Sequence, residues 1–397
     1  MCNRSNNIYS LQVLASHRIL SAPVVSGKKG AGSGAGSNKA LEESSCSEGG
    51  STPGSRLIRD RLQGFIDIRD ILSSFLLEID LKELQNAKML KRMRVLEEKG
   101  QEFACKAIQE LKSLGSDGWF YDLEETKHAS ILEIIMDGFL NLGNKPADAF
   151  GGSRRRRVVH RLALCGGDGA LTNVVSQSDV ARFLFENLSE FGGLGDETAE
   201  ELGVVRGPEH VVKVAPECPA LDAMILMEER DISAVAVVNS VGSIIGNFSI
   251  SELRNIMSEH FGSLALPVGE FLALEHGTEY AGYAITREGS SPGSGGGNTM
   301  SSMKSNNDIV PMGTSPGSRP SGAGFKFAQD REMRRRDSAP GHEVGQNLIT
   351  CSPDSPLSDI LSTIVHNRLH RVYICSDDMV PCGVITLTDL LRKMAMS

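Results

Sequence analysis

Hydrophobic positions near the C-terminus change period twice. Leu357, Ile360, Leu361, Ile364 and Val365 recur at the spacing of one helix face. The run Arg368–Ile374 is β-rich, Ser376-Asp377-Asp378 reads as a turn, and Gly383–Leu391 reads as a strand passing into a helix. The same helix–strand–turn–strand–helix pattern recurs upstream. Val158–Leu164, the turn Gly166–Gly169 and Asn173–Val180 make a second copy. Arg230–Val238 with Gly246–Leu253 make a third, and Arg18–Val25 with Gly64–Leu72 a first. In each copy an acidic residue stands six positions after Gly64, Asn173, Gly246 or Gly383. His160 to Asp179 spans 19 positions, and so does His370 to Asp389. A repeat held to that spacing predicts one structural unit built four times.

Between the copies the composition shifts. Residues 27–55 and 288–325 are rich in Gly and Ser with little to bury, so they are expected to be flexible. The predicted organisation is repeat one over 8–77, with its insertion at 27–55 and its leading strand missing. A helical connector follows over 78–118, then repeat two over 119–190 with an insertion at 140–156. Repeat three covers 204–258, a connector 259–287, a mostly disordered linker 288–345, and repeat four 346–395. In the first connector Leu81, Leu84, Leu90, Met93, Leu96, Phe103, Ala107, Ile108, Leu111 and Leu114 suggest amphipathic helices broken at Gly100. That apolar face either packs on the repeats or fills a partner's groove.

The chain of 397 residues carries 41 Lys and Arg against 50 Asp and Glu, a net charge of -9, which disfavours a nucleic-acid-holding role. Aromatic residues at 5% argue against a base-stacking surface. No apolar run approaches the roughly 20 residues of a membrane span, and no secretory leader is apparent. Residues 1–41 lack Asp and Glu, faintly like a transit peptide, but residues 11–25 already serve the first repeat. None of the eight cysteines forms a CxxC pair or stands at zinc spacing. Reduced thiols in a cytoplasmic or nuclear protein, with no metal, are the expectation.

Asp67-x-x-Asp70, Ser176-x-x-Asp179, Ser249-x-x-Glu252 and Thr386-x-x-Asp389 each fit a helix-start box, in which the acid suits the positive helix terminus. That needs no ligand. The same carboxylate could instead accept ribose hydroxyls at the mouth of a strand–helix turn, as in dinucleotide folds. Glu252 is longer, so the third such site is expected to be weak or empty. His160-Arg161 and His370-Arg371 sit in short apolar strands. They are either satisfied strand-edge residues or phosphate donors, Arg as a bidentate fork and His beside it. Copies one and three carry Ser21-Ala22 and Ser233-Ala234 instead. Arg154–Arg157 reads as a solvated loop, a basic patch or a nuclear signal, and Arg334-Arg335-Arg336 before Ser338 makes Ser338 a candidate phosphosite. No phosphate loop, HExxH or kinase catalytic loop is present.

The four copies resemble cystathionine-β-synthase (CBS) domains. Four in series, with a His-Arg pair at the start of the middle strand only in copies two and four, resemble the γ regulatory subunits of AMP-activated and sucrose-non-fermenting-type protein kinases, including their yeast and plant relatives. The resemblance implies an α/β (α+β) fold of four CBS repeats forming two pseudo-symmetric pairs, copy one with two and three with four, joined in a disc. It implies no catalysis. AMP, ADP or ATP would be the regulatory ligand, held by Asp70, Asp179 and Asp389 at the ribose, with Ser176, Ser178, Thr386 and Thr388 beside them. His160, Arg161, His370 and Arg371 would hold the phosphates. Kinase catalytic and β-type subunits would be the partners, with no nucleic acid or membrane. A CBS-fold adaptor that docks a partner without sensing nucleotide is the alternative.

Overall fold

The computed structural model describes residues 21–25, 62–85, 87–106, 110–111, 120–122, 130–140, 159–165, 171–256, 258–276 and 348–396. The two Gly/Ser-rich segments, Arg154–Arg157 and Ser338 lie outside the described residues.

Copy one contributes β1 (Ser21–Val25), β2 (Leu62–Asp67) and α1 (Ile68–Leu76). The connector supplies α2 (Leu81–Gln85) and α3 (Met89–Ala104). Copy two has β3 (Phe120–Asp122), α4 (Ile131–Glu133, continuing as a π-helical turn over Ile134–Phe139), β4 (Arg161–Cys165), β5 (Leu171–Ser176) and α5 (Gln177–Glu186). Copy three has β6 (Lys213–Val214), α6 (Ala220–Arg230), β7 (Ala234–Val238) and β8 (Ile244–Ser249), followed by 3-10 turns over Ile250–Asn255 and Ser258–Ala265 and by α7 (Val268–His276). Copy four has β9 (Thr350–Cys351), α8 (Leu357–His366), β10 (Arg371–Cys375), β11 (Pro381–Thr386) and α9 (Leu387–Met396).

Copies two, three and four each form a three-stranded sheet, a short leading strand parallel to the middle strand and a hairpin partner antiparallel to it. The register is shared. Val24 faces Gly64, Leu164 faces Asn173, Val237 faces Gly246 and Ile374 faces Gly383, each pair followed by the same irregularity. The sequence spacing is therefore one hairpin geometry built four times.

The sheets pair face to face and the pairs meet through helices. Ala236 and Ile244 of copy three pack on Tyr373 and Cys375 of copy four. Between the two pairs, α1 and α3 share a core with α6 and the turns of copy three, around Phe75, Phe103, Met224, Phe248 and Phe261. Helix α5 shares a second core with α8 and α9, around Leu184, Leu361, Leu390 and Leu391. Burying such side chains is worth about 1.5–3 kcal/mol each. Copy one thus lies helix to helix on copy three, and copy two on copy four.

Several expectations change. Gly100 does not break the connector, because α3 runs through it. A Cβ there would stand 2.5 Å from Phe261, so the glycine serves close helix approach. Leu90, placed on the apolar face by its spacing, is 63% exposed. In copy three the helix expected after the second strand is 3-10 rather than α. Ser249 caps no backbone N–H, its hydroxyl bonding Ser251 instead.

Candidate functional site

The four strand–helix junctions point toward one another, because each copy presents the same corner to the centre. In copy two the Ser176 N–H and hydroxyl donate to Asp179 Oδ2 (2.9 and 2.6 Å), and the Asp179 N–H returns a bond to Ser176 Oγ (3.2 Å). Copy four repeats this, Thr386 donating to Asp389 Oδ2 at 3.1 and 2.6 Å. In copy one two carboxylates reciprocate: the Asp67 N–H donates to Asp70 Oδ2 (3.0 Å) and the Asp70 N–H to Asp67 Oδ1 (2.9 Å). Each box satisfies helix N–H groups that would otherwise lack partners. Copy three, as seen above, has no such cap.

The strand register also corrects the alignment of the His-Arg pairs. The carbonyls of His160, Ser233 and His370 accept the first helical N–H of Gln177, Ile250 and Leu387, so Ser233 stands at the histidine level. Ser21 faces Asp67 as Arg161 faces Ser176, so it stands at the arginine level, one position from where the sequence pairing put it. Each arginine crosses its sheet pair to a serine. Arg161 Nη1 donates to Ser21 Oγ (2.6 Å) and Arg371 Nη2 to Ser233 Oγ (2.7 Å).

Arg161, Arg371 and Ser233 line a central cavity of about 440 Å³. Arg69, Arg161, Arg371 and Arg392 face it, with His160, His210 and His370, against the carboxylates of Asp67, Asp231 and Asp389. Loss of bulk water lowers the pKa of Arg161 and Arg371, opposed by Asp67 and Asp179 around Arg161 and by Tyr373 and Asp389 around Arg371. Partial loss of water likewise pushes His160 down, although its side chain stays 45% exposed. Asp67, 4.0 Å from its Nδ1, opposes the shift, and Arg161, Arg69 and Arg371 add to it. Tyr373, pushed up to about 12 by burial, donates to Asn247 Oδ1 (3.1 Å) and ties the sheets of copies three and four beside the cavity. Arg161 and Arg371, short of water and hydrogen-bonded to neutral serines, favour an anion beside them.

A second cavity, of about 390 Å³, opens from the same wall between copies three and four. Leu202, Val204, Leu357 and Ile385 supply apolar surface, and His210, Asp389 and Arg392 also border the central cavity. Its rim depends on a close backbone approach. Val205 bridges Gly383, and the N–H groups of Arg206 and Gly207 both donate to Cys382 O (3.0 Å).

Of the residues expected to bind nucleotide, His160, Arg161, Ser176, Ser178, His370, Arg371, Thr386, Thr388 and Asp389 line the central cavity. Asp70 and Asp179 line neither cavity, and Asp70 is only 5% exposed. Asp67, Arg69, His210, Asp231, Tyr373 and Arg392 were missed. Arg69 did carry a signal, since it stands where the other copies have Ser178, Ser251 and Thr388.

The model of the CBS domain matches residues 208–259 and 343–396, which are copies three and four. The fold is that of paired CBS domains. A crystal structure of a Methanocaldococcus jannaschii protein, described as a proposed archaeal homologue of γ-AMPK, aligns over 98% of this chain and 93% of that one with a TM-score of 0.50 and 13% identity, a likeness of fold. Protein sds23 of Aspergillus niger is 25% identical over 194 residues, covering 48% of this chain and 34% of its own length. Protein SDS23 of Debaryomyces hansenii is 24% identical over 135 residues, covering 33% of this chain and 23% of its own. This chain therefore spans about a third or less of the curated relatives it matches. No helix among the described residues is long and apolar enough to cross a membrane.

Proposed function

We propose that the chain is a regulatory subunit without catalysis of its own, binding an adenine nucleotide between copies three and four. The observation that carries this reading is that His210, Asp389 and Arg392 line both cavities. The apolar cleft is of a size to take a nucleoside, and the central cavity offers cations to its phosphates. Asp389 at the junction keeps acceptor capacity for ribose hydroxyls. Its Oδ2 serves the helix cap, while Oδ1 has only a 3.4 Å contact with Arg392. A carboxylate has about four acceptor positions, so capping does not exhaust it. Asp70, with its carboxylate buried, takes no ligand on this reading, and Asp179 takes none from the central cavity.

Occupancy would then bias the packing of the four copies and, through it, a partner. By the resemblance to kinase γ subunits, the partner class is a protein kinase with its β-type subunit. The adaptor reading also has an observation in its favour: the acidic residues of copies one, two and four are all engaged as helix caps.

Calorimetric titration of AMP, ADP and ATP into the chain, beside Asp389→Ala and Arg371→Ala, separates the two. Heat lost in Asp389→Ala and weakened in Arg371→Ala, with circular dichroism unchanged, supports nucleotide binding. No heat up to about millimolar nucleotide, near -4 kcal/mol, leaves the adaptor.

A further inference from the structure

The helical seams between the two pairs are equivalent in position but not in chemistry. At the seam of copies two and four the Thr388 hydroxyl donates to Gln177 Oε1 (3.2 Å), a neutral contact. At the seam of copies one and three the residue equivalent to Thr388 is Arg69. Its Nη2 reaches Asp231 Oδ1 at 2.6 Å, and its Nε lies 3.6 Å from Glu228 Oε2. Arg69 and Asp231 also line the central cavity.

We infer that the Arg69–Asp231 pair is a releasable latch: a polyphosphate in the central cavity takes the Arg69 guanidinium from Asp231, and the seam between copies one and three loosens. This rests on the reading of the cavity as a phosphate site. Three features favour the exchange. Arg69 is poorly served where it is, because its buried Nε and the facing Glu228 Oε2 have no hydrogen bond. A phosphate offers the same guanidinium several acceptors at once. The partners also differ in their access to water. Arg69 is 13% exposed and needs a replacement anion, whereas Asp231, 34% exposed, can return to solvent. Asp231 caps the C-terminal end of α6 with φ 53°, so its release acts where that helix turns into β7. At the seam of copies two and four the Lys393–Glu197 pair (3.4 Å) does not line the central cavity, so among the described residues the contact that faces the cavity there is the neutral one. One set of phosphates would thus loosen one side of the assembly and leave the other closed.

The test is hydrogen exchange of the full chain, read by mass spectrometry alone and with saturating ATP or tripolyphosphate, with calorimetry on the same samples. Exchange in α1 and at the end of α6 should rise about fivefold with the anion relative to α5 and α9. Arg69→Thr, which gives copy one the hydroxyl of copy four, should show that rise without ligand and respond no further. Asp231→Asn should do the same and serves if Arg69→Thr fails to fold. Heat of binding with unchanged or slower exchange in α1 would overturn the latch and leave the phosphate site standing. No heat with either anion would overturn both. Unliganded variants that exchange like the native chain would overturn the latch whatever binds.

Discussion

Gly383→Ala places a methyl group into the seam that forms the rim of the apolar cleft. The added Cβ would stand 2.5 Å from Val204 O, 3.2 Å from Val204 C and 3.4 Å from Val205 Cα. All three are backbone atoms, so no rotamer change relieves the clash. Either β11 or the Val204–Gly207 segment must move, and the two bonds from Arg206 and Gly207 to Cys382 O stretch with it. Overpacking costs about 1–3 kcal/mol, and two weakened backbone bonds about 1 kcal/mol more. The sum is roughly 2–4 kcal/mol. For cooperative units of this size each kcal/mol lowers Tm by about 2–4 °C, so scanning calorimetry should show a fall of roughly 4–16 °C. Val204, Gly383 and Asp389 border the same cleft, so AMP affinity should fall with it. A Tm within about 1 °C of the native value, with AMP binding intact, would refute the claim that this backbone approach shapes the site.

Other perturbations probe different parts of the assembly. Gly100→Ala drives a methyl into Phe261, itself packed on Phe75 and Phe103, and should destabilise the core of copies one and three by about 1–3 kcal/mol, measured by urea unfolding. His160 has its pKa lowered in the folded state, chiefly by partial loss of water, so the unfolded chain binds more protons just below the ordinary value of about 6.5. Its contribution to stability is whole above that pH and declines as pH falls toward the folded pKa. His160→Gln should flatten this part of the stability curve. A phosphate beside His160 would raise its pKa again, so ATP binding should take up protons and tighten as pH falls, seen as buffer-dependent heats. Buried Cys375, its thiol pushed up to about 12, should resist an alkylating reagent at pH 8 while exposed Cys105 reacts, as read by peptide mapping.

Periodicity exposed the repeat because the same hairpin must be rebuilt in each copy. Spacing from His160 to Asp179 is a local quantity, fixed by β4, the turn, β5 and the first turn of α5. What lies across copies was legible only where a residue recurred. Arg161 and Arg371 could be found because they repeat. Asp231, His210 and Arg392 enter the cavity from other parts of the repeat and have no periodic mark. Gly100 misled because a glycine in a helical pattern reads as a break until the partner helix is seen. Asp70 and Asp389 share one motif but not one surrounding, and burial, which separates them, belongs to tertiary packing.

The alternation of the His-Arg pairs has a physical rationale in this arrangement. Four copies bring the same strand end to one small space, so a cation carried by every copy would be met by three more. In a site short of water that repulsion is costly. Here Ser21 and Ser233 interrupt the series, and each accepts a hydrogen bond from the arginine of its sheet partner. The serine does not neutralise the arginine, as a carboxylate would, so the guanidinium keeps its charge for an incoming anion. Replacing Ser233 with Asp should therefore raise stability by partnering Arg371 and weaken ATP binding by occupying it. A Ser233→Asp chain that melted higher yet bound ATP as tightly as before would show that Arg371 does not meet the phosphates.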